Sequence, residues 1–263
     1  MDFFTGIFVL VLTAITWFLA KIVYEKRNIS VVVLSIVLVT TSLLYFKYSS
    51  FFLTLVNLKD FVLHAKIFLP LGISYITFKY ISYLMDIYWE KIGRGKFINF
   101  LLYSSFFPIY LAGPIERFEN FEPQLREKIS FSSSHFEEGY RRFVYGMFKK
   151  YMLADGIGIL ITRNIASNTM SEVPPEFVNL FLFSLQIYFD FAGYSDMAIG
   201  TSRFFGIKIM ENFDNPYLKS NISLFWNSQI HFLFLPIRLF PGRLILPYNT
   251  LDRRELKMVT SDY

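Results

Sequence analysis

Long stretches of apolar side chains, separated by short clusters of charge, dominate the first part of the chain. No charged residue lies between Phe3 and Ala20 or between Ile29 and Phe46. As an α-helix, each stretch is roughly 27 Å long, close to the hydrocarbon thickness of a bilayer. The pattern therefore predicts two transmembrane helices, joined by a short basic loop around Glu25.

Less regular hydrophobic patterns follow. Residues 47–66 mix aromatic and charged side chains, which favours an interfacial position because charge is costly at mid-depth. A third span is predicted over Ile67–Tyr88. The apolar stretch Phe97–Ile115 contains Pro108 and Gly113, so we expect a helix followed by a re-entrant or interfacial turn.

The second half of the chain alternates polar segments with helical patterns. Residues 116–138 are predicted to form a polar loop, and a helix is predicted over Gly139–Ile161. A long helix is predicted over Glu176–Phe205. The fold class is therefore all-α: a polytopic transmembrane protein of about six spans, with re-entrant or interfacial helices.

Composition supports a membrane protein and narrows its partners. The 263 residues are 54% hydrophobic and 18% charged, with a formal net charge of +5. The basic residues lie between the apolar stretches, as in cytoplasmic loops that face anionic lipid headgroups, so the bilayer is the expected partner and nucleic acid is not. With Lys21–Arg27 in the cytoplasm, the N-terminus lies outside. The absence of cysteine excludes disulfides and thiol ligands.

Ionisable residues interrupt the helix of the second half. Asp190 and Asp196 are six residues apart and point to different sides, whereas Asp196 and Arg203 share a face two turns apart. Gln186, Asp190 and Tyr194 form a polar stripe. Intramembrane charge usually faces a protein interior or a substrate path. We therefore expect these charged residues and Tyr194 to line a polar path, with hydrogen bonding to neighbouring helices as the open alternative.

Two further patterns concern helix packing and histidine. Gly193 and Gly200 share another face of the same helix and permit a close helix contact. His135 follows a serine-rich stretch and is expected to be solvated. His231 lies in an apolar stretch, where a packed histidine and a general base are both open interpretations.

Five segments carry a family resemblance. They are LPLGISYITFKYISYLMDIYW (Leu69–Trp89), SFFPIYLAGPIERFENFEPQL (Ser105–Leu125), GMFKKYMLAD (Gly146–Asp155), QIYFDFAGYSDMAIG (Gln186–Gly200) and NFDNPYLKSNISLFW (Asn212–Trp226). In this order they resemble the membrane-bound O-acyltransferase (MBOAT) family, in particular its bacterial alginate O-acetyltransferase branch.

The resemblance implies a protein of the bacterial cytoplasmic membrane that transfers an acyl group, expected to be acetyl, from a cytoplasmic thioester. The donor would be acetyl-CoA or an acyl carrier protein, and the acceptor a hydroxyl of an exported polysaccharide or cell-wall polymer. Periplasmic or extracellular acetylation proteins are implied partners, with no bound cofactor or metal. Asn212 and Tyr217 are then expected to line the reaction chamber, a plain connecting turn being the alternative.

The chain departs from this family after Trp226. The family places a catalytic histidine four residues after its Phe-Trp pair, in a Trp-His-x-Ser-Leu-Ser context, whereas His231 comes five residues after Trp226 and lacks those neighbours. His231 is thus a displaced candidate for the catalytic base. We expect an MBOAT-like region over residues 1–228 and a divergent tail over 229–263, from a truncation or frame disruption close after Asn227.

Three alternatives stay open beside an impaired acetyltransferase. A non-catalytic membrane remnant or scaffold would account for the missing Trp-His context. A teichoic-acid D-alanine transferase would share the fold. A small transporter would also place Asp and Arg inside the bilayer, although the order of the five segments argues against it.

Overall fold

The computed structural model describes residues 3–55, 70–111, 113–126, 132–166 and 175–228. In these ranges the regular elements are all helical and no strand is present, which confirms the all-α prediction. The helices are α1 (Phe3–Lys26), α2 (Ile29–Leu55), α3 (Ile73–Tyr88), α4 (Phe97–Ser105), α5 (Phe118–Arg126), α6 (Ser133–Met147), α7 (Asp155–Ala166), α8 (Pro175–Phe204) and α9 (Ile222–Ser228). A π-helix over Phe148–Ala154 joins α6 to α7.

Three helices are long and apolar enough to cross a bilayer. They contain the segments Gly6–Lys26, Ile29–Ser49 and Glu176–Phe204, with mean hydropathies of 2.2, 2.4 and 1.2. The first two are the predicted N-terminal pair, and the third is the predicted long helix of the second half. The transmembrane character is thus confirmed, while the remaining spans of the predicted six stay a prediction.

The predicted boundaries of the second and third spans differ from the structure. The helix predicted to end at Phe46 continues without a break to Leu55, because residues 47–55 keep enough apolar side chains to extend α2. The third helix begins only at Ile73, where Gly72 adopts the left-handed conformation with φ of 76°. That backbone conformation suits glycine and marks a turn before the helix.

Aromatic side chains form the core between α3, α4 and α5. The buried rings of Tyr83 and Phe100 stack with centroids 4.2 Å apart, and Phe118 packs edge-on against Tyr83 at 5.0 Å. Tyr103 and Phe121 continue the cluster, with ring centroids 5.6 Å apart. The turn after α3 carries Glu90, which forms an ion pair with Arg27, so α3 ends beside the loop that joins α1 to α2. We call this the basic end of the molecule.

The segment from α4 to α5 folds back on itself. After α4, a short 3₁₀ turn over Phe107–Ile109 reverses the chain, and α5 then returns to the first turn of α4. The return is fixed by a 3.1 Å hydrogen bond that Asn99 donates to Glu122. A helix followed by a re-entrant or interfacial turn was predicted for this stretch; the helix and the turn are present, and their depth in the bilayer stays a prediction.

The prediction of a loop over residues 116–138 is wrong. Helix α5 occupies Phe118–Arg126, and α6 begins at Ser133. The polar composition of α5 conceals a narrow apolar face, on which Phe118 and Phe121 are spaced by three residues and buried against the aromatic core. Contact with the core thus stabilises a helix that the surface residues do not indicate.

Helices α6 and α8 run antiparallel and approach closely through glycine. A Cβ atom built on Gly146 would lie 2.6 Å from the carbonyl oxygen of Gly193, and one on Gly200 would lie 2.6 Å from that of Gly139. No side chain fits at such a separation. The close contact predicted for Gly193 and Gly200 is therefore confirmed, and the sequence had not identified its partner glycines on α6.

The chain beyond α8 returns along the same helix. Lys208 donates its backbone N–H to Gln124 of α5 at 2.8 Å, which places the residues after α8 against α5. Asn212 then donates to Ser195 at 3.0 Å, and the Tyr217 hydroxyl lies 2.7 Å from that of Ser184. Residues 207–218 therefore form a returning segment, which covers one side of α8.

Candidate functional site

A buried carboxylate joins the closely packed helices α6 and α8. The Asp196 side chain is 6% exposed, and its two oxygens accept hydrogen bonds from Arg142 Nε at 2.6 Å and Lys149 Nζ at 2.5 Å. The second guanidinium nitrogen of Arg142 bonds Glu211, on the returning segment. We call these four residues the Asp196 network. Each carboxylate is thus paired with a cation, as buried charge requires.

The local sequence explains how two cations reach one carboxylate. Arg142 lies on α6, and Lys149 lies seven residues later on the π-helix that continues it. The two side chains therefore lie on one face, about two turns apart. Lys149 belongs to the π-helix, and so does Lys150, which forms an ion pair with Asp190. Consecutive lysines therefore bind different acids on α8. Single π-helical turns occur frequently at functional sites.

Arg203 lies seven residues after Asp196, in the last turn of α8. Its guanidinium Nη2 is 2.9 Å from Glu138, and the Arg203 side chain is 14% exposed. Asp196 and Arg203 therefore do share a face of α8, since both contact α6, although each binds its own partner. Hydrogen bonding to a neighbouring helix was the alternative left open by the sequence, and the contacts observed are of that kind. A role in a substrate path stays a prediction.

The other predicted residues fall into two groups. Asp190 is 52% exposed on its side chain, where it meets Lys150, and Tyr194 is half-buried one turn further along α8. Asn212 is buried against Ser195, whereas Tyr217 is exposed, with its ring 5.1 Å from that of Tyr188. Asn212 and Tyr217 thus fasten the returning segment to α8, and whether they line a chamber stays a prediction.

A second buried carboxylate escaped the sequence analysis. Glu116 is fully buried and accepts hydrogen bonds from the Met210 N–H at 2.6 Å and the Asn120 side chain at 2.5 Å. Burial raises the pKa of the Glu116 carboxyl to about 7. The buried Lys79 amine donates to the Tyr103 carbonyl oxygen nearby, and the Tyr103 hydroxyl donates to the Glu116 carbonyl oxygen at 2.8 Å. A lysine inside the apolar third helix was the available signal for this site.

Two cavities open beside these charges, near the C-terminal end of α8. One, of about 360 Å³, lies between the α4–α5 turn and the ends of α6 and α8; the other, of about 260 Å³, lies between α6, α8 and the returning segment. Arg203 borders both cavities. The first is walled by apolar side chains with few polar groups, and the second is walled by cationic and acidic ones.

The histidines contribute little to a described site. His135 lies on α6, not in a loop: it borders the larger cavity, and its Nδ1 is buried without a hydrogen-bond partner among the described residues. The expectation of a solvated His135 is therefore wrong, because α6 starts earlier than predicted. His231 lies outside the described residues, as does the tail over 229–263. Among the residues described, no group of three or more His, Asp and Glu is placed to hold a metal ion.

The described residues contain apolar helices of bilayer length, segments that fold back on themselves, and charges paired between helices. These features define an integral membrane protein with a polar interior. Comparison with known proteins identifies its family. The chain belongs to the membrane-bound O-acyltransferase family, whose model matches residues 4–232. The match begins well before Leu69, the first residue of the five segments that carried the resemblance, and it ends just beyond His231.

Curated relatives in bacteria agree with this assignment. A probable alginate O-acetylase of Pseudomonas aeruginosa is 35% identical over 190 residues, which are 69% of this chain and 36% of the relative. A peptidoglycan O-acetyltransferase of Helicobacter pylori is 32% identical, covering 69% of this chain and 40% of the relative. A teichoic acid D-alanyltransferase of Bacillus subtilis is 30% identical, covering 60% and 40%. The chain thus spans well under half the length of these relatives.

Proposed function

We propose that this chain is a membrane O-acyltransferase family member that acts on an exported polysaccharide or cell-wall polymer. The observation that carries the proposal is the family match over residues 4–232, which contains the α6–α8 pair and its Asp196 network. The alginate and peptidoglycan relatives favour acetyl as the acyl group. We place the basic end in the cytoplasm of a bacterial inner membrane, because juxtamembrane Lys and Arg mark that side.

The proposed reaction is transfer from a thioester to an alcohol. The acceptor oxygen attacks the thioester carbonyl, the carbon–sulfur bond breaks, and the hydroxyl proton passes through a base to the leaving thiol. This step needs a general base and donors that stabilise the oxyanion. The base proposed from the sequence is His231, and the Asp196 network would hold α6 and α8 in place around the path of the substrate.

We also propose that this chain alone transfers acyl groups poorly. The support is local: the residues around His231 lack the Trp-His-x-Ser-Leu-Ser context that the family places there. The donor proposed is acetyl-CoA or an acetylated carrier protein. A D-alanine transferase is the second candidate, favoured by the teichoic acid relative. A non-catalytic scaffold for partner proteins is the third, and it predicts no transfer under any condition.

The decisive experiment compares the chain with a chimera. The purified chain and a fusion of residues 1–226 to the C-terminal part of the Pseudomonas aeruginosa relative would each receive labelled acetyl-CoA, labelled acetyl-carrier protein or labelled D-alanyl-carrier protein, with alginate or peptidoglycan as acceptor. We expect ester formation by the chimera with an acetyl donor and little by the chain.

Three results would change the interpretation. Preference of the chimera for D-alanine would favour the second candidate. A folded chimera that is inert with every donor would contradict a role of residues 1–226 in acyl transfer. Strong transfer by the chain, lost on His231→Ala, would contradict the proposed impairment and establish His231 as the base.

A further inference from the structure

Arg203 separates an apolar cavity from a basic one near the C-terminal end of α8. The apolar cavity, of about 360 Å³, is walled mainly by Leu102, Phe106, Leu125, Phe204, Phe205 and Ile207. The basic cavity, of about 260 Å³, receives Arg141, Arg142, Arg203, Lys208, Glu138 and Glu211. The two spaces together therefore have the polarity of an amphiphile: one region for a hydrocarbon chain and one for a charged group.

The basic cavity has more positive than negative charge. Four cationic side chains face two carboxylates, and the carboxylates already bind Arg142 and Arg203. The exposed side chains of Arg141 and Lys208 form no ion pair or hydrogen bond within the part of the chain that the structure describes. Two cations are thus available for an anion from outside the protein.

The apolar cavity contains an unused polar atom at its border. His135 Nδ1 is buried without a hydrogen-bond partner among the described residues, and Ser132 borders the same cavity. A buried polar atom without a partner is costly. A ligand with a polar group next to its hydrocarbon chain would satisfy this atom, whereas a purely apolar occupant would not.

We propose that the two cavities bind one anionic phospholipid of the membrane. Its phosphate lies among Arg141, Arg203 and Lys208, and one acyl chain enters the apolar cavity beside Leu102 and Phe106. Basic pockets between transmembrane helices attract the headgroups of anionic lipids. A zwitterionic lipid would fill the apolar cavity equally well but would gain less from the basic one. The proposal does not depend on acyl transfer.

Spin-labelled lipids test the headgroup. The full chain in detergent would receive spin-labelled phosphatidylglycerol or phosphatidylcholine, and the immobilised fraction would be read from the spectrum. We expect preference for phosphatidylglycerol. The double substitution Arg141→Gln and Lys208→Gln should lower its affinity by roughly 30-fold, since each removed charge near a headgroup weakens binding by about fivefold.

A matched variant controls for net charge. Lys47→Gln with Arg163→Gln also removes two exposed cations, but these lie on α2 and α7 and border neither cavity. This variant should retain the affinity for phosphatidylglycerol. Equal losses in the two double variants, or equal affinity for the two lipids, would overturn the proposal, because either result indicates binding to net charge or to apolar surface alone.

Two further arms test the acyl chain and a competing occupant. Leu102→Trp replaces a half-exposed aliphatic side chain in the wall of the apolar cavity with a bulky indole ring. This substitution should weaken the immobilisation of phosphatidylglycerol severalfold. An unchanged unfolding temperature is the control for folding. Unlabelled acetyl-CoA in excess should leave the bound lipid in place. Displacement by acetyl-CoA would overturn the proposal by assigning the basic cavity to the thioester donor.

Discussion

At the scale of single residues, the chain separates buried charges from exposed ones on the same helix. Asp196 and Asp190 both lie on α8 and both bind cations of the α6 side, yet the first is 6% exposed and the second 52%. Charge within an apolar sequence was enough to identify both. Their partners were not predictable, because Arg142 lies 54 positions from Asp196 and such a contact leaves no local pattern.

This difference in burial predicts different costs of neutralisation. Asp196→Asn should lower the free energy of unfolding by about 2 kcal/mol, because it removes the buried carboxylate to which Arg142 and Lys149, each about one-third exposed, donate. Asp190→Asn should cost less than about 1 kcal/mol, as for a solvated ion pair. Unfolding in mixed micelles with increasing denaturing detergent measures both. Similar losses would contradict the buried character of the network.

Glu116 predicts a pH dependence of stability. Its pKa is raised from 4.5 to about 7, so the fold favours the protonated carboxyl. That contribution is complete below about pH 4.5 and is lost as the pH rises through about 7, a decrease of roughly 3 kcal/mol in the free energy of unfolding. Unfolding at pH 4.5, 6 and 8 measures it. Glu116→Gln should flatten this profile, and a profile that keeps its slope in the variant would assign the effect to another group.

At the scale of helices, glycine determines how closely α6 and α8 approach. Spacing by seven residues indicated that Gly193 and Gly200 share a face, and this was predictable from helical periodicity. Helix α5 was not, since its few apolar positions become meaningful only beside the aromatic core. The start of α6 at Ser133 was missed for a similar reason. The polar side chains around His135 conceal a helix that is stabilised by packing against α8, for example by Phe136 against Phe204.

The glycine contact predicts a position-specific cost for one methyl group. Gly146→Ala should lower the free energy of unfolding by about 2 kcal/mol, because its Cβ would lie 2.6 Å from backbone atoms of Gly193 and Met197. Gly156→Ala is the control: no atom lies within 4 Å of its Cβ, and alanine favours a helix by up to about 1 kcal/mol. The same detergent titration measures both. A loss at Gly156 as large as at Gly146 would contradict close packing at the latter.

At the scale of the whole molecule, contacts between distant segments bring basic residues to one end. The ion pair of Arg27 with Glu90 places the α1–α2 loop beside the end of α3. The sequence predicted the polytopic helical class from hydropathy alone. It did not predict that residues 207–218 turn back along α8, since that path depends on contacts with Ser184 and Ser195.

This arrangement predicts the accessibility of introduced cysteines. The chain has none of its own, so single substitutions can be labelled without background. Lys26→Cys and Lys96→Cys should react with a membrane-impermeant maleimide only after the cytoplasmic side is opened. Lys47→Cys should react in intact cells whose outer barrier is permeabilised. Labelling of Lys26→Cys in intact cells would contradict the orientation proposed for the basic end.

The seven-residue spacing of the glycines leaves the depth of α8 in the membrane ambiguous. A slide of two turns, roughly 10.5 Å, would still bring Gly146 opposite Gly200. It would separate Arg203 from Glu138 and Asp190 from Lys150, and it would remove Arg142 from Asp196. Glycine spacing therefore permits more than one insertion register, and the charges select one of them. A protein that neutralised all these pairs would keep the tight packing and lose the means to choose its alignment.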